Sequence, residues 1–530
     1  MKKLTAILLI ILSAFFLSCG KKTSDGIIIN MGAEPRTIDP SLNTLNVVSA
    51  MLFHAFESLT TIGPDGKLTA GMAESWDISE DGKIYTFHLR TNALWSDGKP
   101  VTAHDFEYGW KRVVNPATAA QYASLLEIIK NAKEINAGQM DYNELGVKAI
   151  DDYTFEVTLV DPAAYFLEFM ATVGVFSPIR QDIIEKYGDD WTLSPETFIG
   201  NGPYQMTERV MDQYIVFEAR TNYYKADETV AKKLTFLSMS DPNTAIAGIR
   251  GGTIHFSALE PPSSEIAKLK EENYIVLKDG VGTFYLSLNI TNNALKDKRV
   301  RHALSLAIDR NYIVSNVTMG GQAPAQGFVP PTIDGINDSY RAEAGVLIDT
   351  DNYKDNVEKA KALMAEAGYT NGEGFPVLEI RVSPGLHIIV AEAIQQMWKA
   401  NLNIDVTLKN DEYPLVLQYL VEKNFDMGSM AWNADYRDPM TMLDIMLTGN
   451  SFNYGLYSNP SYDVLVNNAK KTADPAVRMN YMINAEKILI DDMPFIPLYH
   501  RSFTLMVSPK LKGIVYNALG KHKFNYCYIE

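Results

Sequence analysis

The sequence predicts a mixed α/β protein divided into two or three domains. Three observations lead there. A chain of 530 residues is longer than one hydrophobic core serves. Some segments alternate apolar and polar residues with period two, whereas others repeat apolar residues at i, i+4, i+7. Beyond residue 30 the two kinds of segment intermix, with no internal repeat and no low-complexity stretch.

In chain order, Lys2 and Lys3 precede an apolar run from Leu4 to Leu17. That run suits a signal-peptide core and falls short of the roughly 20 residues of a bilayer span. It ends at Phe16-Leu17-Ser18-Cys19, which resembles a lipobox, although Phe16 and Leu17 depart from the usual leucine and small residue. The expectation is cleavage after residue 18, lipidation of Cys19, and a polar tether from Gly20 to Gly26. Ile27 to Met31 reads as a short strand. Asp81-Gly82 separates Trp76-Asp77-Ile78 from the alternating Ile84 to Leu89, a hairpin pattern. A turn at Asp97-Gly98-Lys99-Pro100 precedes Thr102, which with Asp105 forms a capping pattern for a helix whose stripe is Phe106, Trp110 and Val113; Tyr108 lies off that stripe. Tyr153 to Val160 alternates as a half-buried strand. Asp297 precedes a helix carrying Val300, Leu304, Ala307 and Ile308. Asp355 with Glu358 caps a helix ended by Gly368, and Asp474-Pro475 opens one carrying Val477, Tyr481, Ala485 and Ile488. Cys527 sits in the alternating run Phe524 to Ile529, read as a late strand with the cysteine as a small apolar residue.

Composition excludes several functions. The formal charge is −16, two units more negative once Lys2 and Lys3 leave with the signal segment, and no basic run could neutralise a phosphate backbone; nucleic acid is not an expected partner. With Cys19 lipidated, Cys527 has no intrachain partner, so the exported protein relies on its core. The chain contains no GxSxG, HExxH, CxxC, phosphate loop or GxGxxG. Its eight histidines include no pair at i, i+4, and the Asp349 to Asp355 run has Lys354 where a calcium loop needs glycine. No enzyme activity, metal or cofactor is expected.

The run SWDISEDGKIYTFHLRTNALWSDGKPVTAHDFEYGWKR, residues 75–112, resembles the signature of solute-binding protein family 5, the peptide and nickel receptors of ABC importers typified by the periplasmic oligopeptide-binding protein. MGAEPRTIDP (31–40), FIGNGPYQM (198–206), LKDKRVRHALSLAIDR (295–310), NPSYDVL (459–465) and MPFIPLY (493–499) resemble further family landmarks, so the resemblance covers almost everything past residue 30. It implies a type II periplasmic-binding-protein fold: two lobes joined by two crossing segments, with an additional inserted domain. Landmark matching assigns 27–47, 171–283 and 501–530 to the first lobe, 48–170 to the insertion and 284–500 to the second lobe.

The resemblance also implies a site. Trp432-Asn433-Ala434-Asp435-Tyr436 matches a WxADY segment whose backbone pairs with an extended peptide and whose aspartate receives the peptide α-ammonium. Main-chain pairing binds any peptide sequence, and the charge-assisted bond fixes its register. Read from residues alone, without the neighbouring motif, Asp435 is more readily a turn aspartate capping Tyr436 to Pro439. Glu34 matches a glutamate near the ligand backbone, or is an exposed loop carboxylate. Tyr108 matches a tyrosine facing the ligand's amino end, or is simply exposed. His387 aligns with a histidine meeting the carboxylate of longer peptides, or is a solvated helix-start residue, and Tyr499 flanks the cleft at the second crossover. Ser429 stands where some relatives carry a carboxylate-binding arginine, Asn433 where some carry a disulfide cysteine, and Arg437 is a candidate substitute charge. The implied function is an exported, lipid-anchored, monomeric receptor at the periplasmic or outer face of a membrane, carrying short peptides to a membrane ABC permease. Dipeptide, murein-peptide or nickel-chelate cargo, and a surface lipoprotein or chaperone without transport, are the alternatives.

Overall fold

The structure, a computed structural model, describes residues 26–530, so the signal segment, Cys19 and most of the tether lie outside the described residues. Its frame is an eleven-stranded mixed sheet. Two long antiparallel strands, Ile275–Leu288 and Phe495–Val507, pair over most of their length and carry the sheet from one lobe into the other. On one side follow Met427–Asn433, Leu378–Val382 and Val406–Asn410; on the other follow Phe256–Ser257, Ile27–Gly32, Lys233–Ser238, Tyr214–Ala219 and Tyr204–Val210, and the short Ala323–Pro324 pairs with Phe495–Val507 off this path. The pairing between the two long strands slips between Asp279 and Thr283. A bulge of this kind bends a strand and strengthens its twist.

A separate four-stranded antiparallel sheet holds Ala73–Ile78, Ile84–Leu89, Thr154–Thr158 and Val147–Asp151. The first two form the hairpin expected around Asp81-Gly82, with Gly82 at φ +70°. Beside it, Thr102 and Asp105 make the reciprocal capping box of helix Ala103–Val114. The Asp105 carboxylate also accepts the Trp95 indole N–H at 3.2 Å, and Trp110 donates to the Phe176 carbonyl at 3.0 Å. Trp95, Phe106 and Trp110 are fully buried, which explains why the tryptophans of this run recur at these positions.

The other sequence landmarks are interlocks. Asp39 takes two hydrogen bonds from Arg112, at 3.1 and 2.7 Å, and one from the Trp191 indole at 3.1 Å. Asn201 exchanges hydrogen bonds with the Glu57 backbone, and Gly202 donates to the Ala55 carbonyl. A Cβ on Gly200 would stand 2.2 Å from the Ala55 carbonyl oxygen, so only glycine lets these backbones meet. Arg301 spans the carbonyls of Leu295, Lys296, Asp492 and Met493, tying the 295–310 run to the start of the Phe495 strand.

Several local expectations need correction. The helix expected to start at Asp355 runs Tyr353–Glu366 behind Asn352, which puts Asp355 in its first turn. The same helix absorbs the end of the 349–355 run. In helix Pro475–Asp492, capped by Asp474 as expected, Val477 is exposed and the buried stripe is Met479, Met482, Ala485, Glu486 and Leu489. Asp474 and Pro475 fix where this helix begins, but the neighbour it packs against decides its rotation. Phe524 to Ile529 is not one strand: a turn at Asn525-Tyr526 interrupts it and only Tyr528–Ile529 pairs. Cys527 is nonetheless buried, and burial pushes its thiol up to about 12.

Among the described residues apolar side chains gather into one large core drawn from residues 27–256 and 505–527, two from residues 281–519 and 284–499, and a small one around Ala245, Ile249, Leu269 and Met506. Tyr165 and Tyr436 pack against the first and second of these together.

Candidate functional site

Between these cores lies a cavity of about 1090 Å³. One wall is the chain from Ala431 to Tyr436; facing it are residues near Asn43 to Ser49, Gln121 to Ile128, Tyr165, Phe169 and Lys521.

The Ala431 wall belongs to a strand with one uncovered edge. Met427–Asn433 pairs with Ile275–Leu288 along its whole length. On its other side the strand Leu378–Val382 pairs only with Met427 and Gly428. Past Val382 the chain turns through Pro384 and Gly385, the latter at φ +83°, into helix Leu386–Leu402. No described strand therefore covers the outer edge of Ser429 to Asn433. Backbone donors and acceptors on such an edge are a template for one more extended chain.

Asp435 follows directly after that strand and lines the cavity. Its backbone N–H donates to Thr441 Oγ1 at 3.4 Å. Burial holds the carboxyl above its ordinary range, with the Lys521 charge opposing. Among the described residues no cation comes within ion-pair distance of it. Lys521 is pushed down to about 8 by its own burial, against the pull of Asp435, and donates to the Thr172 carbonyl. Tyr122 faces the same carboxylate, which adds to the effect of burial in raising the phenol. The loop carrying Asp435 is held from below: Arg478 donates to both oxygens of Asp438 at 2.7 and 2.8 Å, and Asp438 Oδ1 accepts the Met440 N–H.

The residues singled out from sequence fall into two groups. Trp432, Asn433, Ala434 and Asp435 line the cavity together. The Trp432 indole N–H is buried with no hydrogen-bond partner among the described residues, and its ring meets Phe452 edge-on at 4.9 Å. Glu34, Tyr108, His387 and Tyr499 do not line it. Glu34 is engaged by Arg209 at 3.0 Å and by Ser238. Tyr108 is half-buried against the first core, near Arg112, Glu185 and Asp39. His387 Nδ1 lies 2.9 Å from Ser383 Oγ and 3.2 Å from Ser429 Oγ, with its ring edge-on to Phe284. Burial, helped by the Arg501 charge, lowers its pKa to about 4, so the ring is neutral near pH 7. Tyr499 is buried and stacks on Phe284 at 4.9 Å. Arg437 donates to Asp334 at 2.9 Å. Lys521, Tyr122 and Tyr165 escaped sequence reasoning, since nothing local sets one loop lysine or tyrosine apart; they meet Asp435 or Tyr436 only through folding.

Among the described residues no group of three His, Cys, Asp or Glu is placed to hold a metal, and no helix is long and apolar enough to cross a membrane. The model of the bacterial extracellular solute-binding proteins, family 5 Middle, matches residues 67–454. The periplasmic oligopeptide-binding protein OppA of Salmonella typhimurium is 35% identical over 94% of this chain and 91% of that protein. The structure of Haemophilus influenzae OppA in complex with RPPGFSPFR superposes with a TM-score of 0.76 at 34% identity, covering 96% of this chain and 99% of that one. An unliganded open form of the periplasmic murein tripeptide-binding protein MppA superposes at 0.82, with 30% identity and coverage of 96% and 98%. The fold is thus the two-lobed type II arrangement with an extra domain. The chain belongs to the bacterial extracellular solute-binding proteins of family 5, which bind solutes and are not enzymes.

Proposed function

We propose that this protein captures short peptides in the cavity beside Asp435 and delivers them to a membrane ABC permease. The observation that carries the reading is the edge of Ala431 to Asn433, which no described strand covers, which runs along the cavity wall and which leads into an aspartate with no paired cation among the described residues. An extended peptide would add one strand to this edge, with affinity from main-chain groups that every peptide shares. Asp435 would receive the α-ammonium and so set polarity and register. Peptide contacts from both walls would favour approach of the lobes, and that arrangement would be what the permease recognises. The names of the relatives, which include an oligopeptide binder and a murein tripeptide binder, agree with this cargo. The domain limits at 48–170 and 284–500, the export signal, lipid attachment at Cys19 and a monomeric state complete the proposal.

The test is native mass spectrometry of the chain lacking residues 1–19, purified without denaturation, with sequencing of whatever it releases. Released short peptides, or capture of peptides from an added library, support the reading. A protein that ignores every free-amine peptide and retains a chelate or another small molecule overturns it.

A further inference from the structure

We propose that Arg501 is the carboxylate-binding residue of this receptor, accepting either the C-terminal carboxylate of a short peptide or an Asp or Glu side chain of a longer one. The proposal rests on the peptide-binding reading above and adds a residue that decides which peptides bind well.

Arg501 lies on the strand Phe495–Val507, on the face that also carries Tyr499. In register, Tyr499 opposes Phe284 and Phe284 opposes Ala431, while Gly282 opposes Asn433. Paired residues of adjacent strands share a face, so Arg501, Tyr499, Ala431 and Asn433 look the same way. Two strand spacings, about 10 Å, separate the Arg501 backbone from that of Asn433. The long side chain crosses them: Arg501 Nη1 donates to Asn433 Oδ1 at 2.8 Å. The crossing depends on Gly282, where a Cβ would come within 2.8 Å of that same oxygen and 2.6 Å of the Trp432 carbonyl. The guanidinium therefore rests at the level of Asn433, one further spacing, about 5 Å, from where a strand added to the uncovered edge would run.

Among the described residues nothing uses up this charge. The bond to Asn433 is the one hydrogen bond the guanidinium makes among the described residues, and no carboxylate there lies within ion-pair distance of it. Most of its N–H donors are left over, arranged as the fork that suits a carboxylate. Other groups on this face do not compete. Ser429 is neutral, His387 is uncharged near pH 7 with Ser383 and Ser429 at its Nδ1, and Arg437 is committed to Asp334. Glu260 acts on Tyr499 from the first lobe without pairing with Arg501. Lys521 sits at the opposite end of the motif, facing Asp435. A peptide with its ammonium at Asp435 and a carboxylate at Arg501 would thus be gripped at two fixed points, which gives a length or sequence preference that main-chain pairing alone does not.

The experiment is calorimetric titration of the mature chain and its Arg501→Met and Arg501→Lys variants. The probes are alanine peptides of two to six residues, as free acids and as C-terminal amides, and the amides carrying Glu or Gln at each position in turn. In the wild type one carboxylate should strengthen binding by about tenfold or more over its neutral counterpart, the size of one charge-assisted bond. Arg501→Met should abolish that ratio while neutral peptides keep their affinity, which also shows that the variant folds; Arg501→Lys should keep part of it. Loss of the acid-to-amide ratio assigns the C-terminal carboxylate, and loss of a Glu-to-Gln ratio assigns a side chain. A wild type that binds neutral and acidic peptides alike, or an Arg501→Met variant that keeps the ratio, overturns the role of Arg501. A wild type that binds none of the peptides overturns the peptide reading itself.

Discussion

The rings of Tyr165 and Tyr436 lie parallel, 4.2 Å apart between centroids and 10° from coplanar, with Phe169 edge-on to Tyr436 at 5.0 Å. Both tyrosines touch the two cores, so the stack joins those cores at Tyr436, the residue that follows Asp435 in sequence. Such a pair contributes about 0.5–1.5 kcal/mol beyond the area it buries. Tyr165→Ala should loosen the lobes of the unliganded protein, seen as a larger radius of gyration in solution scattering, whereas Tyr165→Phe keeps the ring and should leave it unchanged. Equal scattering from all three proteins would show that the stack does not hold the lobes together.

Asp435→Ala should weaken binding of free-amine peptides by about 3–5 kcal/mol, a loss of roughly two to almost four orders of magnitude. N-acetylation of the peptide should cost the wild type a comparable amount and the variant almost nothing. Titration of the four combinations gives the coupling between carboxylate and ammonium directly, and a coupling near zero removes the anchor from the proposal.

Glu168 brings a pH dependence. Burial raises its carboxyl to about 7, with Arg437 opposing and with Asp334 and Asp438 adding to the rise. Because the folded-state pKa is above the unfolded value, the folded protein binds the extra proton between about pH 4.5 and 7. This group's contribution therefore favours folding below that window and is lost as pH rises through it. Glu168→Gln should raise the melting temperature at pH 7.5 by about 2 °C and leave it almost unchanged at pH 5. Calorimetry at the two pH values checks the sign, and an equal shift at both would assign the gain to packing.

The Asp438–Arg478 pair should act mainly as a brace for the Asp435 loop, although Arg478 also lines the cavity. Both side chains are buried, and removing one partner strands the other's charge. Arg478→Met should lower stability by about 3–5 kcal/mol in denaturant titration. Peptide affinity should fall too, because the Asp435 to Met440 loop loses its brace. Unchanged affinity in the destabilised variant would show that the loop holds its shape independently.

Much of the local structure was legible because its causes are local. Thr102 and Asp105 cap their helix through groups three residues apart, and Asp81-Gly82 turns its hairpin through the positive φ that glycine accepts. Helix rotation was not: the periodicity of Pro475–Asp492 fits Val477 inward or Met479 inward, and only the packing of its neighbours selects the second. Phe524 to Ile529 alternates like a strand, yet its backbone turns at Asn525 because Phe524 and Cys527 are drawn into the first core.

The sequence by itself determined the family, the mixed α/β class and the segment Trp432 to Asp435, since each is written in contiguous residues with their own turn, cap or motif chemistry. Only the tertiary structure decided what surrounds that segment. The edge of Ala431 to Asn433 is left without a strand partner because a distant strand turns away at Pro384. Lys521 and Tyr122 face Asp435, and Arg501 reaches Asn433, across hundreds of residues or tens of residues of intervening chain. Pairing of that kind follows from how sheets and cores close on one another. No local pattern records it, because a lysine or an arginine in a strand or loop carries the same propensity whether it meets a carboxylate or water.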